Sequence, residues 1–278
     1  MRYKYQHQKY RVKRRKSIFR NRFFWEGLLV LIFLGALFYF FFLSSVFQIN
    51  EIKVSGNKRV STESIQNVIG GQISEKIIFF QSESIFLVDF PKIKKVLLAE
   101  FPNIYEIYLK RKFPDIILVQ IDEREAVANW CRGEDCFYLD KEGIIFERGK
   151  DEGKLIIRSE TSEGELILGS EAVEKKIVDA VLEIQKELKE DLGLAVNEFI
   201  LPQEKHKLTV KMPEGWEIYF DTQREVSDQL FNLDLALKEK IPPEKRGNLE
   251  YVDLRFGNKV FFRYRLEPPQ SGDVIDKN

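Results

Sequence analysis

Histidine and cysteine are scarce in this sequence, with two of each among 278 residues. Because a zinc site needs three or four ligands, and His7 and His206 stand on opposite sides of a long apolar run, a metal site is disfavoured. Motifs of the form G-x-S-x-G or H-E-x-x-H and a phosphate-binding glycine loop are also missing. The carboxylates of Asp122–Glu125 are the remaining candidates for catalysis, although alternation along a strand end explains them as solvated charge. We therefore predict no enzymatic activity, no cofactor and no small-molecule substrate.

Acidic residues are missing from the first 25 positions, which hold ten lysines and arginines, whereas the rest of the chain has 34 basic and 44 acidic residues. Charge is missing altogether between Glu26 and Asn50. The apolar stretch Gly27–Val46, at 1.5 Å per helical residue, matches a hydrocarbon thickness of about 30 Å. We therefore predict a basic arm at 1–25 and a transmembrane helix at 26–47. The positive-inside rule places the arm in the cytoplasm and everything after Phe47 outside it.

Two other interpretations of this region are weaker. A cleaved secretory signal would have a shorter apolar region, of about 7–15 residues, and a small-x-small site. The run here is longer, and Ser44–Phe47 is a poor cleavage site. The basic run Lys13–Lys16 could suggest nucleic-acid binding, but its position beside the apolar run favours an orientation signal that attracts anionic headgroups. We expect no nucleic-acid partner.

The two cysteines, Cys131 and Cys136, flank the residues Arg-Gly-Glu-Asp. This spacing predicts a tight turn between two short strands. Cysteines on facing strands of a hairpin can reach bridging distance, so a disulfide is the favoured prediction. Two free thiols and a metal site remain as alternatives.

The first 75 or so residues after the apolar run predict a compact α/β unit with two helices on a three-stranded sheet. Ser61 caps its first helix, which Gly70-Gly71 stops, and the second helix runs from about Asp89 to before Pro102. Apolar alternation predicts its strands at 47–54, 104–111 and 116–123.

From Glu125 onward the pattern changes to short strands with two amphipathic helices, at Ser170–Leu192 and Ser227–Lys240. The predicted strands lie at 128–131, 136–139, 144–147, 154–158, 166–168, 198–201, 206–212, 216–220, 251–256 and 260–265. Glycine, proline and aspartate then dominate 267–278, which predicts a disordered tail. The fold class is therefore α+β: a single-pass anchor, an α/β unit at 48–124 and a β-rich domain at 125–266.

The last two strands allow two registers. With Gly257-Asn258 as the turn, Asp253 faces Phe262. With Gly257–Lys259 as the turn, Leu254 faces Phe262 and Asp253 meets Arg263. We prefer the three-residue loop because it keeps apolar residues on one face, although turn chemistry slightly favours two residues.

Several motifs, in order and at family spacing over about residues 20–266, resemble the bacterial division proteins FtsQ/DivIB. They are Val54-Ser55-Gly56-Asn57, Arg111-Lys112-Phe113-Pro114, Asp122–Trp130, Tyr138–Gly143 and Tyr251–Phe256. Asn103 and Ala126 depart from the family pattern, which commonly has an aromatic residue and a proline there. The cysteine pair is not a family feature.

The resemblance implies a POTRA domain, then a β domain, in a non-enzymatic scaffold of the division septum. Such proteins bind the bitopic partners FtsB/DivIC and FtsL, which links them to septal peptidoglycan synthesis. The POTRA domain is expected to dock further division proteins. The alternatives are a membrane-anchored assembly or secretion factor that contains a POTRA unit, and a cell-wall hydrolase. Both are expected around the cell periphery rather than in a septal band.

A terminal hairpin leaves a strand edge able to take a partner strand. Aromatic side chains and a fork-shaped arginine beside it suit a protein interface. The resemblance implies partner contacts at Arg255, Phe256, Asn258 and Tyr264. With their neighbours, the candidate partner-binding residues are Arg255, Phe256, Asn258, Lys259, Phe261 and Tyr264. The alternative is that Phe256 and Tyr264 are simply core residues.

Overall fold

The computed structural model describes residues 22–265 except 74, 78–79, 162–163 and 205. Most of the predicted basic arm and the predicted disordered tail therefore lie outside the described residues. The chain begins with the apolar helix α1 (Arg22–Phe42), which at 1.5 Å per residue is about 31 Å long. This helix is long and apolar enough to cross a membrane and is compatible with the predicted anchor. The chain divides into two compact units: the first includes α1, and the second includes the described residues from Ile121 onward.

The predicted two helices and three-stranded sheet are present. Strand β1 (Glu51–Ser55) pairs in parallel with β5 (Ile116–Glu123), which lies next to β4 (Ile104–Lys112). The helices are α2 (Thr62–Ile73) and α3 (Phe90–Glu100). Buried apolar residues of these elements include Ile65, Ile69, Ile93, Leu97, Ile117 and Val119. The mixed α+β class is confirmed.

The structure corrects two details of this part. Helix α2 does not stop at Gly70-Gly71, because neither glycine has a positive φ and the helix continues to the buried Ile73. A short antiparallel ribbon of β2 (Glu75–Ile77) and β3 (Phe80–Ser82) then follows, which the sequence pattern did not predict. Helix α3 begins as expected: Asp89 Oδ1 accepts the Lys92 N–H at 3.1 Å, which is N-cap geometry.

The β-rich region forms one nine-stranded sheet in the order β14-β13-β12-β11-β10-β9-β6-β7-β8. Its strands are β6 (Ala128–Arg132), β7 (Asp135–Leu139), β8 (Ile145–Arg148), β9 (Ile156–Ser159), β10 (Glu198–Leu201), β11 (Lys207–Lys211), β12 (Glu217–Asp221), β13 (Leu249–Phe256) and β14 (Lys259–Tyr264). The predicted strand at 166–168 is wrong, because those residues form a loop.

Two helices bury apolar residues in the core of this sheet, α4 (Lys175–Glu190) and α5 (Val226–Glu239). Their core residues follow helical spacing and are Val178, Val181, Ile184, Leu188, Leu230, Leu233 and Leu237. A one-turn helix α6 (Pro243–Arg246) follows where the sequence predicted only a stop. Helix α4 starts five residues later than predicted, because residues 169–172 bond to the sheet instead. One face of the sheet is thereby committed to the core.

Candidate partner-binding edge

Strand β14 is the last strand of the nine-stranded sheet and has a neighbour on one side only in that sheet. Four of its six side chains are exposed, and all four are aromatic or basic: Lys259, Phe261, Phe262 and Arg263. An edge strand presents N–H and C=O groups along its outer side. The predicted strand edge is therefore present in this part of the chain, together with aromatic side chains that could contact a partner.

The predicted three-residue turn is wrong. Phe256 pairs with Lys259, so Gly257-Asn258 alone forms the turn, and Gly257 has a φ of +66°. Asp253 then faces Phe261 and Val252 faces Phe262, which fits neither of the two continuous registers. The reason is that β13 has an extra residue at two places, between Leu249 and Tyr251 and between Asp253 and Phe256.

This register decides which side chains face the core. Phe262 lies opposite the buried Val252, and Tyr264 lies opposite the buried Leu249. Tyr264 is half-buried against the core. The core interpretation therefore fits much of Tyr264, which leaves this residue the weakest of the six candidates.

Phe256 and Phe261 are the exposed aromatic pair of the edge. Their rings meet edge to face with centroids 5.3 Å apart, and 56% of Phe256 and 49% of Phe261 are exposed. Asn258 and Lys259 are exposed beside them at the turn. Large aromatic side chains held in place by each other lose little entropy on binding. These four residues form the open part of the candidate site.

Arg255 is already engaged within the protein. Its guanidinium donates to both carboxylate oxygens of Asp253, at 3.0 and 2.8 Å, and to Glu204 at 2.8 Å. These hydrogen bonds to Asp253, which is almost fully buried, raise the pKa of Arg255. Arg255 therefore stabilises the end of β13 within the protein and is not a free fork-shaped donor for a partner.

The sheet face around Arg255 carries residues that sequence reasoning missed. Tyr219 and Tyr251 stack with centroids 5.5 Å apart, and the Lys207 Nζ lies 4.1 Å from the Tyr219 ring centroid. Burial and a hydrogen bond to Glu217 raise the pKa of Tyr219, so its hydroxyl stays neutral. Alternation of charged and aromatic residues in β11–β13 was the available signal, but it could not show which strands are adjacent.

The two cysteines lie at the opposite part of the sheet. Cys131 on β6 and Cys136 on β7 are in direct register, with Cα atoms 4.2 Å apart and their sulfur atoms bonded. The hairpin turn between the strands has Gly133 with a φ of +61°. We propose this bridge as a stabilising link of the β6–β7 hairpin, separate from the candidate edge.

The class of the α/β unit follows from comparison with known families. Residues 47–124 match the family described as "POTRA domain, FtsQ-type". The chain is also 30% identical over 105 residues to the cell division protein DivIB of Clostridium acetobutylicum. That alignment covers 38% of this chain and 39% of the relative's length. Together the two findings support the FtsQ/DivIB family, and the resemblance seen in the motifs is confirmed.

Proposed function

We propose that the chain is a membrane-anchored cell division protein without enzymatic activity, which acts as a scaffold for other division proteins. The FtsQ-type POTRA match and the DivIB relative support the division role. The apolar helix α1 supports the anchor. With the basic arm in the cytoplasm, both folded regions lie outside it.

The observation that carries the proposal is the open edge of β14. A partner segment that adds as a tenth strand would gain main-chain hydrogen bonds along Lys259–Tyr264, which is the β-augmentation mode of peptide recognition. Phe256 and Phe261 would supply the aromatic contacts that make such pairing selective. Asn258 and Lys259 would contact the partner at the turn, while Arg255 holds the strand end and Tyr264 is mostly packed inward.

The partners we propose are the bitopic division proteins of the FtsB/DivIC and FtsL types. Their binding would connect this chain to the synthesis of septal peptidoglycan at the division site. The POTRA domain would dock further division proteins beside the membrane. This arrangement needs neither a nucleic acid nor a small-molecule ligand.

Site-specific photo-crosslinking in dividing cells tests the edge. A photoreactive amino acid at position 261 should capture an FtsB/DivIC-type protein, identified by mass spectrometry. The matched control is position 231, because Phe231 is 68% exposed on helix α5 and is not part of the strand edge. Capture at 231 but not at 261 would contradict the proposal. A fluorescent fusion should form a septal band, whereas a peripheral distribution would favour an assembly or secretion factor.

A further inference from the structure

A second exposed aromatic surface lies where the apolar helix ends. Phe47 packs against Phe41 at a centroid distance of 5.5 Å and against Phe86 at 5.1 Å, and Phe86 contacts Phe113 at 5.3 Å. We call Phe41, Phe47, Phe86 and Phe113 the membrane-proximal aromatic cluster. Its outer members stay open, with 39% of Phe86 and 57% of Phe113 exposed. A contiguous exposed apolar patch of this kind is typical of a protein or membrane contact.

The end of α1 is bonded to the loop that carries Phe86. The carbonyl oxygens of the last helical turn have no intrahelical donors. Here Phe41 O accepts from Ser84 Oγ at 2.9 Å, and Phe42 O accepts from Ser82 Oγ at 2.5 Å and from Gln48 Nε2 at 3.2 Å. The side chains of Gln48, Ser82 and Ser84 therefore cap the end of the helix.

Further hydrogen bonds connect the residues after the helix to the loop that carries Phe86. The Ile85 N–H donates to Phe47 O at 2.9 Å, and the Glu83 N–H donates to Gln48 Oε1 at 2.8 Å. Arg111, two residues before Phe113, donates to Ile85 O and Val88 O, each at 2.7 Å. The strand end with Phe113 and the loop with Phe86 are thus tied to each other and to the helix end.

The length of α1 places this cluster at a defined depth. Its uncharged part, from Gly27 to Phe42, is about 24 Å long and spans most of the hydrocarbon thickness of about 30 Å, and Ser45–Phe47 continue it toward the headgroups. The cluster begins at its last turn, so it falls at the boundary between acyl chains and headgroups. Aromatic side chains are enriched at that depth, and burial of apolar surface there anchors peripheral segments.

We infer that the membrane-proximal aromatic cluster inserts into the outer boundary of the lipid bilayer, so that Phe86 and Phe113 form a second membrane contact beside the helix. The inference rests on the proposed anchoring by α1 but not on the division role. It commits to lipid as the occupant because the cluster is continuous with the apolar surface of the span.

Depth-dependent fluorescence quenching tests this contact. The full chain with Phe113→Trp is reconstituted into phosphatidylcholine vesicles whose acyl chains carry bromine near the headgroup or near the chain end, and the emission of the unmodified chain is subtracted. The matched control is Tyr108→Trp, on strand β4, which ends at Lys112 directly before Phe113 and so places position 108 about 17 Å from position 113. We expect the tryptophan at 113 to be quenched at least about twofold, most by the shallow bromines, and the one at 108 to be quenched little.

Equal quenching at the two positions would overturn the inference. A blue shift at position 113 that appears only at high protein-to-lipid ratio would overturn it in favour of a second copy. Quenching of the native Trp25 reports whether the helix has inserted. If Trp25 is not quenched, the proposed anchor fails and this contact fails with it, whereas quenching at 25 without quenching at 113 rejects the contact alone.

Discussion

The two edges of the nine-stranded sheet differ in whether a loop of the protein bonds to their outer side. At one end, the four-residue strand β8 is bonded to the loop at 169–172: Gly169 donates to Ile145 O at 2.7 Å, and Ile145 donates to Ser170 O at 3.2 Å. At the other end, the six-residue strand β14 has no further strand beside it in the sheet, and it carries exposed aromatic rings.

The difference supports the proposal that β14 is the edge used for recognition. Proteins protect strand edges with short strands or covering loops because an open edge invites pairing with other chains. This sheet does so at β8, where the first two residues are also fully buried. The same protection is not applied at β14. An edge left open where the other is covered is therefore best explained by a partner.

The largest effect is expected from removing the open edge. A chain that ends after Asn258 lacks β14 and should lose partner binding by more than 100-fold, because no strand remains to extend. The matched control ends after Arg265 and keeps β14. A pulldown with an FtsB/DivIC-type partner measures both. Normal binding and septation by the shorter chain would remove the distinction between the two edges.

Displacing the loop that covers β8 should lower the stability of the fold. Gly143 has a φ of +81°, and a Cβ there would lie 1.8 Å from Val173 O. We expect Gly143→Ala to lower the free energy of unfolding by more than about 2 kcal/mol, because it adds a backbone clash to the cost of a left-handed residue. Gly133→Ala is the control, since its φ is +61° with nothing within 4 Å. Urea unfolding compares the two, and equal losses would show that the loop does not depend on Gly143.

The aromatic pair should matter for binding and little for folding. We expect Phe256→Ala with Phe261→Ala to weaken partner binding by at least about 30-fold, which corresponds to a hot-spot loss of about 2 kcal/mol. Phe231→Ala removes a ring that is more exposed, and it should leave the affinity unchanged. Calorimetric titration gives the affinities, and thermal unfolding checks the fold. Equal affinities for the two variants would mean that the rings do not contact the partner.

The bridge near the covered edge should affect stability without affecting recognition. Replacing Cys131 and Cys136 by serine opens a loop of about six residues, for which chain entropy predicts a loss of about 2 kcal/mol. Denaturant unfolding of this variant and of the unmodified chain tests the value, and binding through β14 should not change. A loss of partner binding would show that the two ends of the sheet are coupled.

The smallest effect concerns an ion pair between β13 and β14. Arg263 donates to both carboxylate oxygens of Glu250, and these hydrogen bonds lower the pKa of Glu250. Because the pKa is lowered in the folded state, the stabilisation is present above the ordinary glutamate pKa of about 4.3 and is lost as the pH falls through the folded value. The unmodified chain should be slightly more stable than Glu250→Gln at pH 7, and the difference should shrink as the pH falls below the ordinary glutamate pKa. A difference that does not change with pH would contradict this role.

Much of the architecture could be predicted from periodic patterns. Uninterrupted apolar residues indicate α1, and alternation locates β4 and β5 within a residue of the structure. The Gly70-Gly71 stop was wrong because glycine ends a helix only where the backbone turns left-handed, and here the buried Ile73 keeps the helix going.

The site was harder to predict because it depends on irregular and distant contacts. A bulge adds one residue without changing the composition of a strand, so alternation alone could not place Phe261 opposite Asp253. Arg255 and Glu204 are 51 positions apart, and the local sequence around each residue does not indicate their ion pair. Exposure of Phe256 was likewise decided by these bulges.

The covering of β8 also limits how large an assembly can grow through this sheet. A sheet with two receptive sides could add chains in both directions, and such growth would run on into a filament. Here one side is occupied by the protein's own loop, so the first added strand ends the series. With the proposed pairing at β14, a complex built through this sheet therefore has a fixed number of members.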